Sequence, residues 1–216
     1  MSTKIIPVNL GFVKSFLVVG SRVIVVDAGM PGSMKHILNA MKDNCIRYDD
    51  VSLILITHAH GDHMGGLWEL KDMLHAPVAV HRSEAQFMAN GTGTPAVLHS
   101  PMMKMLSVFM KGSKPKAVQP DVLIDDKLDL TGYGVDATVL HTPGHTPGSV
   151  TLVTSGGDAI VGDMVGGLHR PELPGVYADL VQMKRSIGLL ETTGARMVYT
   201  SHGNNHAIAS VLQLGK

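Results

Sequence analysis

The stretch Thr57-His58-Ala59-His60-Gly61-Asp62-His63 places three histidines and one aspartate within six consecutive positions. It directly follows Val51-Ser52-Leu53-Ile54-Leu55-Ile56, a short, apolar and partly β-branched run that predicts a buried strand. A strand that ends in a loop of His and Asp can aim several lone pairs at one point. Because neutral imidazole suits Zn, Fe, Cu or Ni and carboxylate adds a harder oxygen ligand, the stretch predicts a metal site.

Further downstream and upstream, other His and Asp residues repeat this arrangement. Each follows an apolar strand directly or lies in a Pro- and Gly-rich turn between two predicted strands. These positions are Asp27, His145, Asp163 and His202. Strand ends that meet at one edge of a domain would place such side chains on a rigid scaffold, so we expect them to join the same site.

The composition limits the classes of function. A chain of 216 residues that is 44% hydrophobic can bury a substantial core, and we expect one domain over residues 1–216. The formal charge is zero, so neither a nucleic acid nor a membrane is expected as a partner, and a small-molecule substrate is. Cys45 is the only cysteine, which fits a reducing compartment. Because no apolar run reaches the ~18 residues of a membrane span, we expect a cytoplasmic protein.

The order of the predicted elements indicates the architecture. Each half of the chain places strands before helices: the first half opens with a hairpin over residues 13–26, and the second with strands between residues 122 and 161. This order predicts two sheets packed face to face with helices outside, a four-layer αββα sandwich of the α/β (α+β) class. Ser33 and Ser83 are predicted to cap two helices, and a last helix is predicted from about residue 205 to 214.

One segment departs from this pattern. Residues 91–120 are rich in Gly, Pro and Lys around the apolar stretch Met102–Met110. Because methionine is flexible, polarisable and over-used at adaptable binding surfaces, the segment is a candidate lid over an apolar substrate. A helix packed on the core, or an interface in a homodimer, is the alternative interpretation.

These residues and their order resemble the metallo-β-lactamase-fold superfamily, whose signature is His-x-His-x-Asp-His followed by a distant His, Asp and His. The resemblance runs from Asp27 to His202 in five segments. The chain looks like the metallohydrolases of the glyoxalase-II and lactonase type and not like a true β-lactamase, since Asp163 stands where the commonest β-lactamase subclass has a cysteine. Gly166 stands where the lactonases have a tyrosine, so no subfamily matches fully.

The resemblance implies a two-metal centre at the edge of the sandwich. The implied ligands are His58, His60 and His145 for the first ion, Asp62, His63 and His202 for the second, and Asp163 as a bridge between them. By the same resemblance, Asp27 orients a ligand histidine, a support that metal-bound imidazoles need. The implied cofactor is two Zn²⁺ per chain, with Fe or Mn as substitutes where availability decides.

Such a centre predicts hydrolysis. Two cations about 3.5–4 Å apart can share one water and lower its pKa towards ~7, which gives a bridging hydroxide that attacks a carbonyl. Asp62 is the candidate catalytic residue, because it could accept or relay a proton as the intermediate collapses. We therefore expect cleavage of an ester, thioester or lactone.

Two other functions stay open at this point. Nitrogen and oxygen ligands without thiolate also suit iron, and sulfur dioxygenases of the superfamily look similar around the same histidines. Oxidation of a persulfide at a single iron is therefore the alternative. A metal-binding protein that has lost catalysis is the third interpretation.

Three residues beyond the ligands are candidates for a substrate pocket. His169 and Arg170 lie in the loop after Asp163, where they could contact a substrate carboxylate or only anchor the loop. Tyr177 could polarise a carbonyl or simply pack. By contrast, His141 is expected to be structural, because the family pattern places the metal on the histidine that follows Pro-Gly.

Overall fold

The computed structural model describes residues 3–99 and 115–216. The described residues form two six-stranded sheets whose strands follow chain order. The first sheet contains β1 (Lys4–Asn9), β2 (Lys14–Val19), β3 (Val23–Val26), β4 (Val51–Leu55), β5 (Val78–His81) and β6 (Val122–Ile124). The second contains β7 (Lys127–Asp129), β8 (Ala137–His141), β9 (Val150–Thr154), β10 (Asp158–Ile160), β11 (Met197–Tyr199) and β12 (His206–Ala207).

Both sheets are mixed. In the first sheet, β1, β2 and β3 pair antiparallel, while β3, β4, β5 and β6 run parallel. In the second sheet, only β10 and β11 pair in parallel. The helices are α1 (Met34–Asp43), α2 (Gly61–Met64), α3 (Leu67–Leu74), α4 (Arg82–Asn90), α5 (Leu180–Leu189) and α6 (Ile208–Val211).

The alternation of side chains along the strands builds the predicted four layers. On β4, Leu53 and Leu55 are buried against the second sheet, whereas Ile54 packs towards the helices α1 and α3. Since successive side chains of a strand point to opposite faces, a strand buried on both faces needs an apolar residue at nearly every position. A third apolar cluster, which includes Met183 and Ile187 of α5, covers the outer face of the second sheet. The αββα expectation is therefore confirmed.

Both predicted serine caps are wrong in their chemistry. Ser33 occupies the position before α1, but its side chain makes no capping hydrogen bond. Helix α4 begins one residue before Ser83, and the Nδ1 atom of His81 accepts the hydrogen bond from the Ser83 N–H. The histidine at the end of β5 therefore does what sequence preferences assign to serine.

The last predicted helix also begins later than expected. His206 lies in β12, which pairs with β11, and helix α6 begins only at Ile208. The Met-rich stretch 102–110 lies outside the described residues, so its interpretation as a lid, core helix or interface stays a prediction, as does the single-domain assignment. Across the two described ranges, no helix is long and apolar enough to cross a membrane.

Candidate metal centre

The predicted ligands lie at one edge of the sandwich, where strands of both sheets end. The two sheets are joined there by a backbone hydrogen bond of 3.0 Å from the Val150 N–H to the Thr57 carbonyl. The Thr57–His63 loop leaves β4 at this point, and Asp163 and His202 follow β10 and β11 within three residues. The scaffold thus brings together the ends of strands that are far apart in sequence.

The three-histidine cluster consists of His58, His60 and His145. The Nε2 atom of His58 lies 3.0 Å from Nδ1 of His60 and 3.2 Å from Nε2 of His145. The distance between Nδ1 of His60 and Nε2 of His145 is 3.0 Å. Three ring nitrogens therefore converge on one point, which is the arrangement that a cation needs from three imidazoles.

Burial keeps these three imidazoles neutral. It lowers the pKa of His58 well below its usual range, helped by the neighbouring histidines. It also lowers the pKa of His60 to about 3 and lowers that of His145. A neutral imidazole has a lone pair to give, so at pH 7 the cluster needs no deprotonation before it can bind a cation.

The Asp–His cluster consists of Asp62, His63, Asp163 and His202. The Nε2 atom of His202 lies 3.2 Å from Oδ2 of Asp62 and 3.4 Å from Oδ2 of Asp163. The Nε2 atom of His63 lies 3.2 Å from Oδ1 of Asp163. All four side chains offer ligand atoms within 4.8 Å of one another.

The electrostatics of this second cluster are opposite to those of the first. Burial opposes charge on His202, but Asp163 and Asp62 outweigh it and raise the pKa of His202 to about 10. In the same way, burial of His63 is outweighed by Asp163, Asp27 and Asp62, which raise its pKa well above its usual range. The positive charges of His63 and His202 thus balance the negative charges of the carboxylates in this cluster.

Asp163 lies between the two clusters. Besides its contacts in the Asp–His cluster, its Oδ2 atom lies 3.7 Å from Nε2 of His145 and 3.9 Å from Nε2 of His58. Burial raises the pKa of Asp163, yet the charges on His63 and His202 outweigh it and hold that pKa well below its usual range. The ionised side chain therefore faces both sets of nitrogens.

The site contains buried polar atoms whose hydrogen bonding the described residues do not satisfy. Among these residues, His60 Nε2 is buried without a hydrogen-bond partner, and His63 Nε2 and Asp163 Oδ1 form an ion pair of 3.2 Å but no hydrogen bond. Buried polar atoms are rarely left unsatisfied in folded proteins. For His63 and Asp163, the orphaned atoms are the ones that point into the Asp–His cluster, so the residues present fit a bound cation.

Asp27 supports His63 from behind. Its Oδ2 atom accepts a hydrogen bond of 2.8 Å from Nδ1 of His63, and its Oδ1 atom accepts one of 2.8 Å from the Thr57 N–H. The Thr57 hydroxyl donates to Asp27 and lies 3.1 Å from Nδ1 of His58. These contacts fix the rings of His63 and His58 so that each directs Nε2 into the site.

His145 is fixed by a carbonyl of the opposite loop. Its Nδ1 atom donates a hydrogen bond of 2.7 Å to the Val176 carbonyl, which leaves the Nε2 lone pair for the three-histidine cluster. Gly144, at φ 140°, allows the turn before it to lie against Met183 at the start of α5, where a Cβ atom would collide with the Met183 backbone. The Pro-Gly turn therefore sets both the path of the chain and the direction of the ring.

His202 contacts a residue that the sequence did not single out. Its Nδ1 atom donates a hydrogen bond of 2.9 Å to the carbonyl of Phe12, and the two rings lie 4.8 Å apart at their centroids. The Phe12 side chain is nevertheless 54% exposed. The loop between β1 and β2 thus brings an exposed aromatic ring to the mouth of the site.

The other predicted residues lie outside the two clusters. Arg170 forms an exposed ion pair of 3.1 Å with Glu172, and His169 is exposed beside it. The ring of Tyr177 stacks on His99 at a centroid distance of 3.8 Å. Their role in a substrate pocket stays a prediction. His141 donates to the Pro147 carbonyl and stacks on His81, which is a structural role.

The fold and the site define a class of protein. The sequence profile of the metallo-beta-lactamase superfamily matches residues 8–206. The chain belongs to this superfamily, whose members named below include probable metallo-hydrolases.

Known proteins resemble the chain over part or nearly all of its length. It is 28% identical over 196 residues to the probable metallo-hydrolase MJ0888 of Methanocaldococcus jannaschii, covering 88% of this chain and 86% of that protein. It is 33% identical over 106 residues to the human acyl-coenzyme A thioesterase MBLAC2, covering 46% of this chain and 36% of that protein. The crystal structure of the BLEG-1 B3 metallo-beta-lactamase shares the fold with a TM-score of 0.73 and 22% identity, over 97% of each chain.

Proposed function

We propose that the chain is a dinuclear metallohydrolase that cleaves an ester, thioester or lactone bond of a small-molecule substrate. The observation that carries the proposal is the position of Asp163, whose carboxylate faces both the three-histidine cluster and the Asp–His cluster. A carboxylate between two sets of ligands suits a pair of cations.

In this proposal each of the two clusters binds one cation. His58, His60 and His145 hold one divalent cation, and Asp62, His63 and His202 hold the other, with Asp163 shared between them. When bound, two divalent cations supply Lewis acidity and lower the pKa of water towards ~7. Zn²⁺ is the proposed metal, because imidazole and carboxylate are its common ligands in catalytic sites.

Asp62 is the proposed proton acceptor. It is the only carboxylate of the Asp–His cluster besides Asp163, and it is partly accessible, with 20% of its side chain exposed. Its pKa is lowered, since burial is outweighed by His63 and His202, so it is ionised at neutral pH. An ionised carboxylate beside the reacting bond can take a proton and pass it to the leaving group.

Two observations favour a carbonyl substrate with an apolar group. The human relative named as an acyl-coenzyme A thioesterase matches 46% of this chain. The exposed Phe12 ring next to His202 gives the mouth of the site an apolar contact for an acyl chain. Thioesters are therefore the first substrates to test, ahead of lactones and simple esters.

The test combines elemental analysis with a hydrolysis screen of thioesters, lactones and esters on the purified protein. We expect two Zn per chain and turnover that disappears with a chelator and returns with Zn²⁺. The Asp163→Asn variant should hold close to one Zn and lose hydrolysis. About one Fe per chain, no hydrolysis and oxygen uptake with a persulfide would replace this proposal with the dioxygenase alternative.

A further inference from the structure

Glu84 is a fully buried carboxylate that belongs to neither cluster. It lies in the first turn of α4, directly after β5 and at the same edge of the first sheet as the Thr57–His63 loop. Burying a carboxylate costs free energy unless the charge is compensated by hydrogen bonds. The groups that donate hydrogen bonds to Glu84 therefore indicate its role.

Those donors come from the two loops that carry the three-histidine cluster. The Oε2 atom of Glu84 accepts a hydrogen bond of 2.9 Å from the N–H of Ala59, which lies between His58 and His60. Its Oε1 atom accepts one of 3.0 Å from the N–H of Gly148, three residues after His145. One carboxylate thus connects two loops that are almost 90 residues apart in sequence.

A third donor completes the carboxylate's hydrogen bonding. The hydroxyl of Thr94 donates to Oε2 of Glu84, while its backbone N–H donates 2.8 Å to the Ala59 carbonyl. Ala59 is therefore held at both its N–H and its C=O. Gly148 fits this arrangement because it has no side chain: a Cβ atom there would lie 2.5 Å from Cγ of Glu84.

We propose that Glu84 is a positioning residue that sets the distance between the His58–His60 loop and the His145 loop, so that their ring nitrogens converge for a cation. The inference rests on the proposed function, because it assigns a metal ion to the three-histidine cluster. It adds that the affinity of this cluster depends on a side chain that touches none of its ligands. The Asp–His cluster, whose His63 is oriented by Asp27, should not depend on Glu84.

The test measures metal binding without substrate. Cobalt(II) absorption and competition between Zn²⁺ and a chelator are followed in two backgrounds. His202→Ala leaves the three-histidine cluster intact, and His145→Ala leaves the Asp–His cluster intact. Glu84→Gln keeps the size of the side chain but turns an NH₂ group towards an N–H donor. We expect affinity to fall about 10–100-fold in the first background and to stay within about twofold in the second.

Three further variants guard against a general loss of stability. Ser52→Ala removes a buried hydroxyl at the start of β4, the end of that strand away from the site, and should leave cobalt binding unchanged. Thr94→Val removes one donor to Glu84 and should weaken the first cluster less than Glu84→Gln does. Thr94→Ser keeps the hydroxyl and should restore the wild-type affinity and cobalt spectrum.

The outcomes separate the two proposals. If the His202→Ala protein binds no cobalt at all, the proposed metal function fails together with this inference. If it binds cobalt, and both Glu84→Gln and Thr94→Val bind it with unchanged affinity, the positioning role alone is overturned. An equal loss in both backgrounds, or a matching loss in Ser52→Ala, would also overturn it, because the effect would then be one of overall stability.

Discussion

The carboxylate of Asp27 lies 2.8 Å from Nδ1 of His63, and both side chains are completely buried. Asp27 adopts φ 62°, a left-handed conformation that is uncommon outside glycine but tolerated by Asp and Asn. The same carboxylate accepts a hydrogen bond from the Thr57 N–H, so one side chain connects the end of β3 to the Thr57–His63 loop. The left-handed backbone of Asp27 at the end of β3 thus places its carboxylate against the imidazole of His63.

The Asp27→Asn substitution should weaken the Asp–His cluster more than the three-histidine cluster. Asparagine accepts the left-handed backbone and can still bond the Thr57 N–H, but its NH₂ group would face the N–H of His63. The imidazole would then shift its proton to Nε2, the atom that binds the cation. We expect a 10–100-fold loss of metal affinity at this cluster, measured by chelator competition. Full occupancy of both sites would contradict the role of Asp27.

Cation binding at the Asp–His cluster should release protons. In the metal-free protein the pKa of His202 is raised to about 10 and that of His63 is raised well above its usual range. His202 is therefore protonated at pH 8 and must lose a proton to bind a metal.

An indicator dye in weakly buffered solution at pH 8 should record the proton that His202 loses. Binding at the three-histidine cluster should release no proton from its neutral imidazoles, so a proton released there can come only from metal-bound water. The His202→Ala protein serves as the control and should release one proton fewer. Equal release at the two clusters would show that the assigned protonation states are wrong.

The metal-free protein should lose stability in mild acid. His58, His60 and His145 all have lowered pKa values when folded, that of His60 at about 3, whereas an unfolded histidine titrates near 6.5. Between these values the unfolded chain binds protons that the folded chain refuses. The contribution of these three imidazoles to stability is therefore present above pH 6.5 and is lost as the pH drops towards 3.

Urea unfolding of chelator-treated protein between pH 6.5 and 4.5 can measure this loss. His60, with its pKa of about 3, should contribute on the order of 1 kcal/mol per pH unit, and His58 and His145 should add a slope of the same sign. Below about pH 5.5 the raised pKa values of His63 and His202 add no slope, because both groups are then protonated in either state. Nearer pH 6.5 they add a slope of opposite sign, because the unfolded imidazoles are only partly protonated there. A His60→Asn protein should show a shallower decline, and a flat profile in the wild type would contradict the prediction.

Gly144→Ala should destabilise the fold through packing as well as backbone strain. Gly144 has φ 140°, and a Cβ atom there would overlap the backbone of Met183. Gly32 is the matched control, since it has φ 84° but nothing within 4 Å of the added atom. We expect Gly32→Ala to cost about 1 kcal/mol and Gly144→Ala at least about 2 kcal/mol more. Thermal unfolding of the two variants gives the comparison, and similar losses would refute it.

The positions of the proposed ligands could be selected from the sequence because each follows a strand that is buried on one or both faces or, for His145, lies in the turn after one. Such strands appear in the sequence as continuous apolar runs, and the first polar residues after them mark the sheet edge. The layer order followed from the same runs. Asp27 could be included as well, because it terminates a strand like the ligands do.

Contacts that depend on tertiary packing could not be predicted in this way. Glu84 lies on a helix, where an acidic residue is usually solvent-exposed, and its bond to Gly148 spans 64 positions. The contact of Phe12 with His202 is another example, because nothing in the local sequence indicates that His202 lies beside it. The prediction that Ser83 caps α4 was wrong for a similar reason, because His81 at the end of β5 accepts the hydrogen bond from the Ser83 N–H.

The distribution of the ligands between the halves of the chain has a consequence for folding. The three-histidine cluster takes two members from the first sheet's loop and one from the second sheet, and the Asp–His cluster takes two from each. Neither cluster exists unless both halves have folded and docked, so each cation would act as a reversible cross-link between them. By mass action, free metal at 100 times Kd would add about 2.7 kcal/mol per site to the free energy of unfolding. Metal supply would then govern the lifetime of the folded chain as well as its activity.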